Sequence, residues 1–287
     1  MGFRLRITGS ARRQVCRVLV RECAAVLRLL ARPPALPRFA HEFRRHGKRL
    51  RAILQLARPG LARKDFRRES DHWVALGRRL APQRDRDAQR EIIAQLGRRY
   101  PDLMTRADAT LVRKRLAAVH PVRDITRREL PGWRKQVLAS RSRISRWEPA
   151  LDWKSVLAAH GDAFQTCRKR WKRALRDQAR RHSWRKSASV MRHQSRALAE
   201  LWPEVMEQQE HAWEDLADLL GKEHDLSQLD RALAGMAEPA AQRIRRAARR
   251  WRSTLAAQAN GMGNRLHAER TAAFRRRIRA YAALVRS

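Results

Sequence analysis

Amphipathic helical segments follow one another along the sequence, and proline or glycine separates them. Ala, Leu, Arg, Gln and Glu predominate, and these residues favour helix over strand. Such helices bury their apolar stripes against one another, which predicts an all-α protein of antiparallel helical bundles. From the breaks we predict helices at about 10–31, 38–57, 61–80, 83–98, 104–119, 151–181, 183–202, 203–220, 222–236, 239–259 and 264–285.

Two segments recur about 140 residues apart. "HEFRRHGKRLR" from His41 matches "HSWRKSASVMR" from His182, and "WVALGRRLAPQRD" from Trp73 matches "WEDLADLLGKEHD" from Trp213. Two matches in the same order and spacing indicate an internal duplication. We therefore predict one bundle in residues 1–140 and a second, pseudo-symmetric bundle in 141–287, with the proline-containing stretch 120–149 as the bridge between them.

Charge is the second constraint on this chain. Its 66 Lys and Arg against 28 Asp and Glu give a formal net charge of +38. Self-repulsion of this size opposes compaction, so the charge indicates a dense anionic partner. Most of the cations are arginine, whose guanidinium forms paired hydrogen bonds with phosphate.

The two histidine segments each form a basic stripe when they are placed on a helix. A basic stripe is often only a solvated helix face, but such faces usually interleave acids one turn away, and the first stripe has only Glu42 nearby. We therefore interpret the stripes as a binding surface, with Arg49 beside the first and with Arg168 and Lys172 as further basic positions at i,i+4 spacing. The stripe residues are His41, Arg44, Arg45, Lys48 and Arg51, and then His182, Arg185, Lys186, Arg192, His193 and Arg196.

Patterns of the common catalytic and metal sites are missing from the sequence. It has no H-E-x-x-H, no phosphate-binding glycine loop and no nucleophile elbow. Three cysteines without a C-x-x-C favour a reducing compartment, and no apolar stretch approaches the roughly 20 residues that span a bilayer. We expect a cytoplasmic binding protein that is not an enzyme and has no catalytic residues, no metal and no cofactor.

The paired histidine helices, followed by "LAPQRDRD" and by "LLGKEHDL", resemble the CHAD family (conserved histidine α-helical domain) over about residues 10–285. The resemblance implies two four-helix bundles whose basic faces line a central channel that binds inorganic polyphosphate. It also implies association with polyphosphate granules or their components. The family's frequent companion, a CYTH domain with an E-x-E-x-K strand, has no counterpart here, so a standalone module is expected. The motif match carries ligand contacts over to His41, Arg44, Arg45, Lys48 and Arg51, with counterparts His182, Arg185, Lys186 and Arg192.

Two other functions compete with polyphosphate binding. A non-specific, architectural nucleic-acid-binding protein would also need a strongly basic surface, but the sequence has no recognition-helix motif and no flexible basic tail. A phosphohydrolase or polyphosphate kinase would need an acidic metal-binding cluster, which the sequence does not offer.

Overall fold

The computed structural model describes residues 3–119 and 125–286, and all regular secondary structure in these ranges is helical. The prediction of an all-α protein is confirmed. Short 3-10 turns link several of the α-helices. Within the described ranges the α-helices are α1 (Ala11–Ala31), α2 (Leu36–Ala57), α3 (Arg63–Arg79), α4 (Ala81–Arg99), α5 (Arg106–Val119), α6 (Leu130–Ser145), α7 (Trp153–Arg176), α8 (Arg181–Ala197), α9 (Pro203–Ala232), α10 (Pro239–Leu266) and α11 (Thr271–Arg286).

Several helix boundaries differ from the prediction, and three of the differences concern predicted breaks. The predicted bridge contains α6, because Pro131 lies in the first turn of that helix, where its missing N–H costs nothing; residues 120–124 of the bridge lie outside the described residues. Helix α9 runs unbroken through Gly221, and α10 runs unbroken through Asn260 and Gly261.

The larger of two hydrophobic cores joins α1, α2, α3, α6, α7, α8, α11, the first half of α9 and the C-terminal end of α10. Its largest fully buried side chains include Phe43, Trp133, Trp184 and Trp213. These three tryptophans therefore serve to pack the core. Each helix of this core contributes one apolar stripe, so both ends of the chain depend on a shared interior.

The smaller core joins α4, α5, α10 and the second half of α9, with Ile93 and Ile244 fully buried. Each core therefore contains helices from both sides of residue 140, and that residue lies within α6. The division into residues 1–140 and 141–287 stays a prediction, as do the pseudo-symmetry of the bundles and the central channel.

Helices α2 and α8 cross at a hydrogen-bonded point inside the larger core. The Nε2 amide of Gln194 on α8 donates to the carbonyl oxygen of Ala52 on α2 at 3.1 Å. The Nδ1–H of His160 on α7 donates to the Oε1 of the same glutamine at 2.9 Å. His160 and Gln194 are fully buried, so this chain fixes how the two basic helices lie against each other.

A buried ion pair ties α8 to α9 and α10. The Nε of Arg181 donates to Glu223 at 2.6 Å, and its two terminal nitrogens donate to Asn260 Oδ1 at 3.0 and 3.1 Å. Asn260 thus has a tertiary role within α10 and does not end that helix. None of the helices within the described residues is both long and apolar enough to span a lipid bilayer.

Candidate functional site

The crossing of α2 and α8 brings the two predicted stripes together around Lys48. The positive charges of Arg185, Arg44, Arg84 and Arg192 all act on this lysine. Desolvation first, and then these four charges, lower the pKa of Lys48 to about 8. The residue keeps some solvent-exposed surface, while protein atoms crowd its amine and displace water from it.

Further electrostatic contacts extend this group into one continuous set of cations. Lys48 and Arg45 lower the pKa of His41 after desolvation, and Arg51 acts in the same way on Lys186 across the helix pair. We call the set the basic cluster. Its members are His41, Arg44, Arg45, Lys48, Arg51, Arg84, His182, Arg185, Lys186 and Arg192.

Five of the eight lysines and arginines in the basic cluster have no hydrogen bond and no ion pair with any described residue, and neither do His41 and His182. Some arginines elsewhere in the described ranges are held by carboxylates, as Arg181 is by Glu223 and Arg277 is by Glu269 at 2.8 Å. Carboxylates pair with only some cations of the cluster, such as Arg84 and Arg192, so positive charge remains in excess and favours an anionic ligand. The five unpaired lysines and arginines are Arg45, Lys48, Arg51, Arg185 and Lys186.

Arg84 is a member that the sequence-based list of site residues missed. It reaches the cluster from α4 and forms two hydrogen bonds of 3.0 Å with Asp225 on α9, and one of 3.2 Å with Asp85. Burial would lower the pKa of Arg84, but the charge and hydrogen bonds of Asp225 outweigh it and raise the pKa. The sequence signal for Arg84 was the "QRD" motif, in which Asp85 follows the arginine. Such an aspartate can orient an arginine, and the structure shows both Asp85 and Asp225 holding Arg84.

The histidines of the cluster are held in the neutral form. Desolvation and then the neighbouring cations lower the pKa of His41 and of His182, whose side chains are exposed. The ring of His182 lies 4.7 Å, centroid to centroid, from the ring of His224, whose pKa falls to about 4 through desolvation and the charge of Arg185. A neutral imidazole keeps one N–H, which can donate to an anion.

Four other predicted residues lie at or beside the basic cluster with partners of their own. Arg44 donates to the carbonyl oxygen of Gly77 at 3.0 Å, and Arg49 lies over the ring of Phe3 at 5.2 Å. Arg192 pairs with Glu214, and Arg196 pairs with Glu210 at 3.2 Å. These contacts fix the side chains in place and leave them less free to bind a ligand than the five unpaired cations.

Two predicted residues are not brought into the basic cluster, and a third, His193, borders it from a buried position, where the charges of Arg192 and Lys48 act on it after desolvation. His193 is only 5% exposed and meets the ring of Phe3 edge-on, because the N-terminal segment covers this part of α8 through the bond from Leu5 N to Ala197 O. Arg168 donates to the carbonyl oxygen of His267 at 3.3 Å, and Lys172 is exposed one turn further along α7. Their assignment to the site stays a prediction.

A cleft of about 720 Å³ opens beside Arg84, between α4, α5 and α9. Arginines line it together with an apolar floor that includes Ile93 and Leu116. In residues 3–119 and 125–286, no three His, Cys, Asp or Glu side chains converge as a metal site would require.

Comparison with known proteins bears on the same residues. The CHAD domain matches residues 18–234, a range that holds most of α1 and all of α2 to α9 and therefore the whole basic cluster. A search of curated proteins found no match. The match covers three quarters of the chain and includes both histidine motifs. The chain therefore belongs to the CHAD family.

Proposed function

We propose that this protein binds inorganic polyphosphate along the basic cluster and does not catalyse a reaction on it. The observation that carries the proposal is the group of five unpaired Lys and Arg side chains from α2 and α8, which charge interactions connect to one another through His41 and His182. Membership of the CHAD family is consistent with a function related to polyphosphate. Binding in the cytoplasm and on polyphosphate granules belongs to the same proposal.

A linear polyphosphate suits this surface for electrostatic reasons. It carries about one charge per phosphate and no bases, so a row of cations can follow it without aromatic stacking partners. Release of counterions would drive the binding, as it does for other linear polyanions. The helices hold the arginines in place before the ligand arrives, which reduces the entropy lost on binding.

Variants that each remove two charges test the location of the site. We compare three double variants. The first carries Arg45→Gln and Lys48→Gln on α2, and the second carries Arg185→Gln and Lys186→Gln on α8. The third is a control that carries Arg270→Gln and Arg276→Gln. The control residues are exposed, have no side-chain partner within the described residues and lie outside the basic cluster. The readout is the affinity for long-chain polyphosphate as a function of salt.

For each of the first two variants, we expect the slope of log affinity against log salt to become shallower by about 1.4 units, at roughly 0.7 per phosphate contact. The control should keep the original slope within about 0.3 units, although it has the same net charge as the other two. Equal losses in all three variants would mean that net charge, and not the basic cluster, determines binding.

Competition separates polyphosphate from nucleic acid as the ligand. Duplex DNA at equal total charge should displace bound polyphosphate only weakly, because the cluster lacks the recognition helix and stacking side chains of nucleic-acid readers. Equal competition would favour the architectural nucleic-acid function. Release of inorganic phosphate from the bound polyphosphate on addition of Mg²⁺ or Mn²⁺ would contradict the proposal that the protein binds without catalysis.

A further inference from the structure

The cleft beside Arg84 differs from the basic cluster in the residues that line it. Its volume of about 720 Å³ falls within the range of small-molecule sites, about 300–1,000 Å³. Each of the three helices around it contributes one alanine to the lining, namely Ala88 on α4, Ala117 on α5 and Ala232 on α9. Because these side chains end at Cβ, they leave apolar surface open between the helices. The basic cluster has no apolar member, so the cleft suits a different ligand, one that is only partly polar.

Two arginines of the cleft are available to an anion. Arg90 on α4 and Arg231 on α9 are exposed and have no hydrogen bond or ion pair with any described residue. Arg113 on α5 donates only within its own helix, for example to the carbonyl oxygen of Ala109 at 3.1 Å. Guanidinium groups from three helices therefore line one space, and each can form paired hydrogen bonds with phosphate.

The carboxylates of the cleft lie apart from these unpaired arginines. Asp85 and Asp225 both accept hydrogen bonds from Arg84, at 3.2 and 3.0 Å. At a rise of about 1.5 Å per residue, Arg90 lies about 7.5 Å along α4 from Asp85. By the same measure, Arg231 lies about 9 Å along α9 from Asp225. One part of the cleft can thus accept hydrogen bonds from N–H groups, and another part can donate to phosphate.

We propose that the cleft binds a nucleotide, with its phosphates at Arg90 and Arg231 and its base against the alanines. A nucleotide combines phosphate groups with a flat ring whose faces are apolar and whose edge donates and accepts hydrogen bonds. The amides of Gln89 and Gln228, which also line the cleft, can both donate to and accept from that edge. Inorganic phosphates have no ring, and fatty acids have no such edge, so each would leave part of the lining without a partner.

A nucleotide in the cleft would act on the basic cluster, because Arg84 belongs to both. Its phosphates would repel those of a polyphosphate bound nearby along α2 and α8, and would therefore weaken polyphosphate binding. This consequence rests on the proposed polyphosphate function, whereas nucleotide binding in the cleft does not.

The test compares ATP with inorganic tripolyphosphate, which has the same three phosphates and no base. Isothermal titration calorimetry on the intact protein, without added Mg²⁺, gives both affinities. Contacts to a base should make ATP bind about tenfold more tightly than tripolyphosphate. Equal affinities would overturn the proposal.

Ala117→Leu tests whether the preference for ATP arises in the cleft. The larger side chain would occupy the apolar surface at an exposed position of α5, so the tenfold preference should disappear. Ala118→Leu is the matched control, since Ala118 is exposed on the same helix but lies outside the lining of the cleft. The control should keep the preference. If the preference survives Ala117→Leu, the base binds elsewhere and the proposal fails.

A charge-removing variant tests the phosphate contacts and does not depend on filling the cleft. Arg90→Gln combined with Arg231→Gln should weaken ATP binding about a hundredfold, at roughly tenfold for each arginine. The control with Arg270→Gln and Arg276→Gln loses the same net charge and should bind ATP nearly as well as the original protein. Equal ATP affinities in the two double variants would contradict the assignment of the phosphates to the cleft.

Long-chain polyphosphate separates this proposal from the proposed function. Saturating ATP that weakens polyphosphate binding in the original protein, but not in Ala117→Leu, supports both. ATP binding with the expected preference, in a protein that does not bind polyphosphate, leaves the nucleotide site standing and counts against the proposed function. Polyphosphate binding without a preference for ATP overturns the nucleotide site alone.

Discussion

Replacing Asp225 by asparagine should make the protein less stable and yet a tighter binder of polyphosphate. Asp225 holds Arg84 by two hydrogen bonds of 3.0 Å, with side chains 16% and 26% exposed. Exposed ion pairs contribute about 0.2–1 kcal/mol, and breaking a fully buried one costs about 3–5 kcal/mol. For this half-buried pair we expect the free energy of unfolding to fall by about 2 kcal/mol.

The same change frees Arg84, a member of the basic cluster, from its carboxylate partner on α9. Arg84 would gain the freedom to contact phosphate, and one added contact corresponds to about 0.7 units of salt slope, or about fivefold in affinity at 0.1 M salt. Urea denaturation measures the first effect, and the salt-dependent titration with polyphosphate measures the second.

Asp230→Asn is the matched control for both measurements. Asp230 lies on the same helix, is 15% exposed and pairs with Arg245 at 2.9 Å, but it is not part of the basic cluster. The Asp230→Asn variant should be less stable than the original protein, but its slope of log affinity against log salt should not become steeper. If Asp225→Asn weakens binding in step with the loss of stability, the Arg84–Asp225 pair maintains the geometry of the site, and our reasoning about competition is refuted.

Four further outcomes are expected. Leu50→Ala, at a fully buried position opposite the basic stripe, should cost about 2–5 kcal/mol in urea denaturation and leave the salt slope unchanged. Arg181→Met should cost about 3–5 kcal/mol because it leaves Glu223 buried and unpaired, and adding Glu223→Leu should restore most of that loss. Burial lowers the pKa of His160 to about 4, so its neutral form contributes stability above pH 6.5 that is lost as the pH falls towards 4. Denaturation curves should therefore show the protein less stable at pH 4 than at pH 7 by on the order of 3 kcal/mol from this residue, and His160→Asn should abolish that difference. Polyphosphate affinity should fall as the pH rises through about 8, where Lys48 loses its proton, and Lys48→Arg should abolish that dependence in titrations at pH 7 and pH 9.

The sequence predicted the helical class because apolar residues at helical spacing are a local signal. It predicted helix breaks at Gly221 and at Asn260, where the residue instead has a tertiary purpose inside a continuous helix. At Gly221 an added Cβ would lie 3.2 Å from a terminal nitrogen of Arg185, so the glycine makes room for that guanidinium inside α9. At Asn260 the side chain accepts the hydrogen bonds of Arg181. Neither purpose is visible before the neighbouring helix is placed.

The candidate site divides in the same way. Helical periodicity placed Arg45, Lys48 and Lys186 on one exposed face, and the structure places them there. Periodicity alone could not predict that the N-terminal segment covers His193, since this contact joins positions nearly 200 residues apart. Nor could it bring Arg84 to the stripes, because that requires knowing how α4 packs on α2 and α9.

The shared interior of the larger core has a consequence for biosynthesis. Helices α2 and α3 bury their apolar faces against a core that α7, α8 and α9 complete. At about 5–20 residues per second, a ribosome needs roughly 6–24 s to make the 119 residues from the end of α2 at Ala57 to the end of α7 at Arg176. During that interval the first helices present both apolar stripes and uncompensated arginines to the cell. We expect the nascent chain to depend on chaperones at this stage, and production of the protein to fall steeply when they are depleted.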